Sequence, residues 1–488
     1  MPLSDFIMEN TRIWGYNTYM SETLLGPEEL QKRVSSFLKN YYLNDMHKDR
    51  ESFYALTPVD IKQYPLVACG IVLNLIMDGQ LTKADRFIEA LPDTDMFYFI
   101  KIGILVVHPK TTWKEFIDLL KCLQKNNISL PNVTLTAGRP SILNGFNDFS
   151  RISPFLQKHR TEFIEYLSSL YERNVCPAIY SQCLAEYYYQ INRIIDAEVL
   201  VSRTIKEFDK DSEHRLLFTA LYLQTKILLA YGKTVDPASY IKFIQRYIEE
   251  TGKAEFTYNL DSAEVMTALY EGERAIVSSW YKNKAPDEFV DFNMLDTYRY
   301  LVKLRCYIIF NNHTSLIALV EKLRPLLESG KRHMDLCEID LLLSIALYRA
   351  EKKELALEAF DRALKIARRR KYYRLIADEG CAILNVLIDY IKEKGESEFL
   401  MELLEMTRNM AISHPRYLKA ELKNNATFNQ KEIEILKLLE QGKSRDEIAE
   451  YFFISENTVN FHIKKLYSKL ESTSVTQAVW NARVLGII

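Results

Sequence analysis

Between Asn457 and Leu470 the chain places Asn457, Asn460, Phe461, Lys464, Lys465, Ser468 and Lys469, and no acidic residue falls among them. Residues of these types suit nucleic-acid recognition. An Asn amide can bond both edges of an adenine in the major groove, and a Lys ammonium can reach a guanine or a phosphate. The chemistry needs one surface, and a helix supplies it: Val459, Ile463, Leu466 and Leu470 recur at steps of four, three and four, which buries them together and turns the polar set outward. Across residues 426–488 eight Lys or Arg stand against eight Asp or Glu. Any positive field is therefore local, and the net charge of -2 for all 488 residues excludes a generally basic nucleic-acid wrapper.

Other groups able to do chemistry are weaker candidates. Gly232-Lys233-Thr234 imitates the end of a phosphate loop, but Ile227 stands where its first Gly belongs and no strand precedes it. Arg368, Arg369, Arg370, Lys371 and Arg374 read as a solvated basic run offsetting a helix dipole. The eight histidines show no metal-ligand spacing, and no Ser-His-Asp or paired-carboxylate cluster stands out. The chain reads as a non-enzyme with no cofactor and no metal site. Seven cysteines (Cys69, Cys122, Cys176, Cys183, Cys306, Cys337 and Cys381) form no CxxC pair, which fits buried, reduced thiols in a cytoplasm. No basic-then-apolar leader opens the chain, and no apolar run reaches the ~18 residues of a membrane span, so a cytoplasmic protein without membrane contact is expected.

The elements that must position these residues are helices. Glycine (15) and proline (14) are scarce, and apolar residues recur at three and four, so an all-α fold is expected. Near the C-terminus, Asn429 and Glu432 make a capping box, Ile433, Leu436 and Leu439 line one face, and Gly442 stops the helix. Ser444 with Glu447 starts a second short helix burying Ile448, Ala449 and Phe452, and Ser455 caps the third. Two short helices joined by a tight turn result. Upstream, a helix-hairpin pattern recurs with a period of about 40. Its clearest unit is Leu347, Ala356, Phe360 and Ala363, preceded by Tyr307, Leu316, Val320 and Leu323, by Tyr188, Ala197, Val201 and Thr204, and by Leu75, Gly79, Ala84, Ile88 and Leu91. Residues 128–150 break the pattern with turn chemistry, and Arg139, Ser141, Asn144 and Asp148 there form a candidate second functional region for a ligand or partner. The expected organisation is a 1–26 extension, a 27–412 helical-repeat array, a 413–427 linker opened by Pro415, and a 428–488 DNA-binding unit.

These residues carry two resemblances. Lys431-Glu432, Gly442, Ser444, Glu447-Ile448-Ala449, Ser455, Thr458-Val459, His462, Lys469-Leu470 and Ala478 resemble the LuxR-type (GerE) helix-turn-helix domain over nearly its full length. The resemblance implies a four-helix unit whose DNA-binding residues are Ser444, Ser455, Asn457, Thr458, Asn460, Phe461, His462, Lys464, Lys465 and Lys469. Asn460, Phe461 and Lys464 would read bases, while Thr458, His462, Lys465 and Lys469 lie near the backbone. A fourth helix would pair two copies through Val475, Val479 and Ala482. Asn460 replaces the family's usual lysine, Lys431 an arginine, Glu471 a glycine and Val475 an arginine. The repeat pattern resembles tetratricopeptide repeats. With Leu56-Thr57-Pro58, Pro65-Leu66, and Leu135 to Ser141 followed by Asn144-Gly145, the array resembles the sensor region of the large ATP-binding LuxR-type regulators of the maltose-regulon activator kind. In that family a P-loop NTPase precedes the repeats, and this chain has no room for one.

The expectation is a transcriptional regulator. Its C-terminal helix-turn-helix would bind double-stranded DNA as a homodimer, and its repeats would sense a small-molecule, peptide or protein effector. The alternative is an interaction scaffold in which the repeats dock a separate NTPase or signalling protein and DNA binding is secondary.

Overall fold

The segments with apolar residues spaced three and four apart form helices, and the described residues of the computed structural model include no strand. Described are residues 24–40, 43–92, 138–145, 148–150, 176–207, 214–232, 238–251, 257–290, 292–418, 428–470, 472, 474–484 and 487–488, with isolated positions between 94 and 161. Helices adjacent in sequence pack against each other, as in the pairs Cys176–Gln190 with Ile194–Glu207 and His333–Arg349 with Lys353–Arg370. An array that recruits its neighbours in this way buries a continuous core from helices that individually have only one apolar face.

One turn joins the pairs. At Gly79, Asn192, Gly272, Asn311, Lys331, Glu351 and Lys371 φ lies between 52° and 74°. The next residue's N–H then bonds a carbonyl five positions back: Arg193 to Tyr188, Arg332 to Leu327, Lys352 to Leu347, Tyr372 to Ala367. This left-handed cap satisfies carbonyls that the helix end leaves free. From Asn311 to Lys371 it recurs every twenty residues, so a two-helix unit spans forty, which is the period visible in the sequence. Lysine and glutamate at such positions cost roughly 1 kcal/mol each, and the closing hydrogen bonds and packing offset that strain.

The repeat positions lie where the packing argument puts them. Ala356, Phe360 and Ala363 are fully buried, as are Leu316, Val320 and Leu323, Ala197 and Val201, and Ala84. A large core runs from Leu229 to Leu418, and a separate cluster fills the first helices around Phe53 and Val67–Met77. In that helix Gly70 lies under the Phe53 ring, where an added Cβ would stand 2.2 Å from a ring carbon. Phe53 is fully buried and has nowhere to move. Gly70→Ala should therefore destabilise the N-terminal helices by about 1–2 kcal/mol, because overpacking outweighs alanine's better helix propensity. A lower first unfolding midpoint in thermal or urea melts would show it.

In the array the structure corrects two sequence expectations. Tyr417 and Leu418, assigned to the linker, are buried in the array core; Tyr417 accepts a bond from Arg305 Nε at 3.0 Å, and the Leu418 carbonyl accepts from Arg349 at 2.7 Å. The rest of the expected linker, 419–427, lies outside the described residues. Arg374, read as part of a solvated basic run, is buried and paired with Asp378 at 2.5 Å, whereas Arg368, Arg369 and Lys371 are exposed. Nearby, Tyr189 is buried and donates to Asp378, while Tyr187 and Tyr188 are half-buried. Gly232 ends a helix in a left-handed turn, and Lys233 and Thr234 lie outside the described residues. Cys69, Cys183, Cys306 and Cys337 are buried thiols and Cys381 is half-buried. Burial pushes the Cys69 and Cys306 thiols up to about 12. Cys122 and the side chain of Cys176 lie outside the described residues. No described helix is long and apolar enough to cross a membrane.

Candidate nucleic-acid interface

The C-terminal unit is built from four helices, Gln430–Glu440, Arg445–Phe452, Glu456–Lys469 and Val475–Val484. Each of the first three starts where a side chain can satisfy its free amides. Asn429 accepts from Glu432 N–H at 2.8 Å while Glu432 accepts from Asn429 N–H at 2.9 Å. Ser444 and Glu447 repeat the reciprocal pair, and Ser455 accepts from Thr458 N–H at 3.3 Å. Gly442 and Phe453 end the first and second helices in the left-handed turn used through the array. Ile435, Leu436, Ile448, Val459, Ile463, Leu466 and Leu470 form the core, so the third helix is held by the apolar face read from the sequence. Ile435 was not singled out there, and Ile433, which was, is only half-buried.

The outward face of the third helix presents Asn457, Phe461, Lys464, Lys465 and Ser468 as exposed residues, with Thr458, Asn460 and His462 half-buried. Phe461 is 65% exposed and contributes nothing to the core, so its ring is available to an apolar group such as a thymine methyl. Burial first, and then Lys431, lowers the pKa of His462, which disfavours its charged form. Ser444 and Ser455 are exposed, but each hydroxyl already caps a helix. Their part at a DNA surface would be to aim the helix N-termini.

The lysines divide. Lys469 bonds Glu432 Oε2 at 2.6 Å with its side chain largely buried, and Lys465 lies 3.3 Å from the other oxygen. Lys464 makes no ion pair among the described residues. Glu432 is fully buried. Burial alone would raise its pKa, but Lys469, the Asn429 amide and Lys465 outweigh that and hold the carboxylate below its ordinary value. The three lysines therefore do not form one positive row: Lys469 is an internal strut, Lys465 is partly neutralised, and Lys464 is without an ion pair among the described residues. Neither helical spacing nor resemblance signals this, because the acceptor lies on another helix.

The fourth helix packs on the first, and Arg483 bridges to Glu440. Ala482, expected on a pairing surface, is fully buried in the domain core with Ala478, so it has no face to offer a second copy. Val475 and Val479 are half-buried against the same core.

The candidate loop in the array is built inward. Arg139 donates to Asp335 at 2.9 Å and Glu338 at 2.6 Å. Asn144 donates to Asp335 at 2.8 Å, and Ser141 donates to Glu186 at 2.7 Å. Asp148 accepts from Met334 N–H and caps Ser150. Ser141, Asn144 and Asp148 are thus structural. Only Arg139 reaches an internal cavity, and residues 128–137 lie outside the described residues.

Two short helices crossing at a tight turn, the second with a polar outer face, define a helix-turn-helix unit on a helical-repeat array. Family comparison agrees. Residues 426–482 match the luxR family of bacterial regulatory proteins, and residues 164–393 match the MalT-like TPR region. The C-terminal unit is a luxR-family (GerE) helix-turn-helix domain, and the array contains a MalT-like TPR region. Among curated relatives, the HTH-type transcriptional regulator AlkS of Alcanivorax borkumensis is 32% identical over 102 residues, covering 21% of this chain and 11% of that protein. The HTH-type transcriptional regulators MalT of Cronobacter sakazakii and of Klebsiella pneumoniae are 23% and 22% identical over 253 and 286 residues. Those alignments cover 48% and 54% of this chain, and 28% and 31% of the relatives. The chain spans less than a third of the length of each relative.

Proposed function

We propose that this chain is a cytoplasmic, non-enzymatic transcriptional regulator that binds double-stranded DNA, with the third C-terminal helix in the major groove and the repeats sensing an effector. The observation that carries the reading is a surface of exposed Asn457, Phe461 and Lys464 with half-buried Asn460 on a helix whose opposite side is locked into a core. Asn460 and Lys464 would supply hydrogen bonds to base edges and Phe461 an apolar contact. Thr458, His462 and Lys465 would lie near phosphates. The relatives named as HTH-type transcriptional regulators support the same reading. Pairing over a two-fold site would use Val475 and Val479.

The test is binding to fragments of the protein's own genomic neighbourhood across a salt series, against unrelated competitor DNA. Lys464→Ala should weaken specific binding by about 1–3 kcal/mol. If Lys464 reads a base, the loss is confined to sites carrying that base; if it meets a phosphate, the loss is uniform and the salt slope falls by about one. Unchanged binding would remove Lys464 from the interface. Binding that follows salt but prefers no fragment would favour the scaffold alternative.

A further inference from the structure

Lys431 sits where its own helix disfavours it. It is the second residue of the helix Gln430–Glu440, one position before the capping-box Glu432, in the turn whose free N–H groups make a helix start positive. A cation there is opposed by the helix dipole unless a carboxylate offsets it. Lys431 makes no ion pair or hydrogen bond among the described residues. Its ammonium lies 5.3 Å from the ring centroid of Phe452, the last residue of the second helix, and the side chain is half-buried. The ring steadies the ammonium but supplies no counter-charge.

The third helix brings His462 to the same place. Its ring is half-buried, and Nδ1 is buried without a hydrogen-bond partner, which leaves Nε2 as the nitrogen able to meet a ligand. Three charged groups act on the ring: Lys431 and Glu432 from the first helix and Lys465 from its own. None comes from the second or fourth helix among the described residues. Burial disfavours the imidazolium most, Lys431 and Lys465 act the same way, and Glu432 opposes them. Glu432 cannot balance the group, because its two oxygens already face Lys469 at 2.6 Å and Lys465 at 3.3 Å. Around His462, two lysines therefore meet one carboxylate that is shared with a third. An anion from outside relieves a positive excess of this kind and gains charge-assisted hydrogen bonds.

We propose that Lys431, His462 and Lys465 form one phosphate seat of the DNA interface, with Lys431 the member contributed by the first helix. The proposal rests on the DNA-binding reading above and adds to it a contact from outside the helix-turn-helix pair. A backbone phosphate gives Lys431 the counter-charge it lacks and accepts a hydrogen bond from His462 Nε2. Phosphate also favours the charged imidazolium, so binding takes up a proton at His462. Affinity then rises as pH falls through the pKa of the bound state and levels off below that of the free state, which lies under the ordinary 6.5.

The experiment measures binding of the full chain to an unrelated DNA duplex across a salt series and from about pH 5.5 to about pH 8. An unrelated duplex isolates the phosphate contacts, which carry no sequence information. Lys431→Met should weaken binding several fold and lower the salt slope by about one. Its melting temperature should be unchanged or higher, since a cation leaves a helix start. Lys431→Arg should bind like the unmodified chain. His462→Gln, which keeps a donor but does not titrate, should flatten the pH dependence. An unchanged salt slope in Lys431→Met, or an unchanged pH dependence in His462→Gln, overturns the seat. Weaker binding of Lys431→Met together with a lower melting temperature makes Lys431 a structural residue and overturns it too, as does the absence of any binding to the duplex at low salt. The regulator reading is judged separately, by whether the unmodified chain prefers a fragment of its own genomic neighbourhood, so either can fail without the other.

Discussion

Arg305→Met is expected to cost the helical array about 3–5 kcal/mol, the largest effect of any single change considered for this chain. The guanidinium is 4% exposed and lies between Glu338 and Glu379 while bonding Tyr417. Methionine fills much of the same volume but leaves two buried carboxylates short of a counter-charge. Against burial, which would raise it, Arg139 and Arg305 hold Glu338 down at about 2. Its stabilising contribution is therefore complete above its ordinary 4.5 and is lost as pH falls toward about 2. Without Arg305 that acid limb should move to higher pH. Urea unfolding followed by circular dichroism at pH 7 and pH 4 reads both effects. A midpoint within error of the unmodified chain would show that the ion-pair chain does not hold these helices.

Glu432→Ala should cost the C-terminal unit about 2–4 kcal/mol. It removes a capping-box carboxylate, worth about 1 kcal/mol by itself. It also strands Lys469, whose largely buried head loses its 2.6 Å partner. The half-exposed Lys465 adds little, because water screens it. A unit of this size is marginally stable, so the variant should lose DNA binding through unfolding rather than through a lost contact. Glu432→Gln, which keeps the side chain's size and one acceptor, should fall between. If Glu432→Ala melts normally and loses DNA binding only by its altered charge, the strut assignment to Lys469 is wrong.

The relation between sequence and structure follows from what a linear pattern can record. Caps at Asn429, Ser444 and Ser455 were legible because each depends on a partner three residues away. The packing positions Ala356, Phe360 and Ala363 were legible because an amphipathic helix repeats its buried face at three and four. The forty-residue period was legible for the same reason, although the residues that set it, Lys331, Glu351 and Lys371 in left-handed turns, carry no local signal of that conformation. Charged residues were the hardest to place. A polar residue on a helix reads as solvent-facing, yet Arg374, Arg305 and Glu338 face inward. Arg139 and Glu338 meet across 199 positions, and Lys469 and Glu432 across 37.

The sequence by itself therefore determined the all-helical class, the repeat with its period, the helix-turn-helix and the outer face of its third helix, since each is written in short-range spacing. Only the tertiary structure decided that Lys464 makes no ion pair among the described residues, that Ala482 belongs to the core, that Tyr417 and Leu418 belong to the array, and that Arg139, Arg305 and Glu338 converge inside it. The reason is physical: buried charges survive only where opposite charges converge, and that convergence is set by how distant helices stack rather than by residues that neighbour one another along the chain.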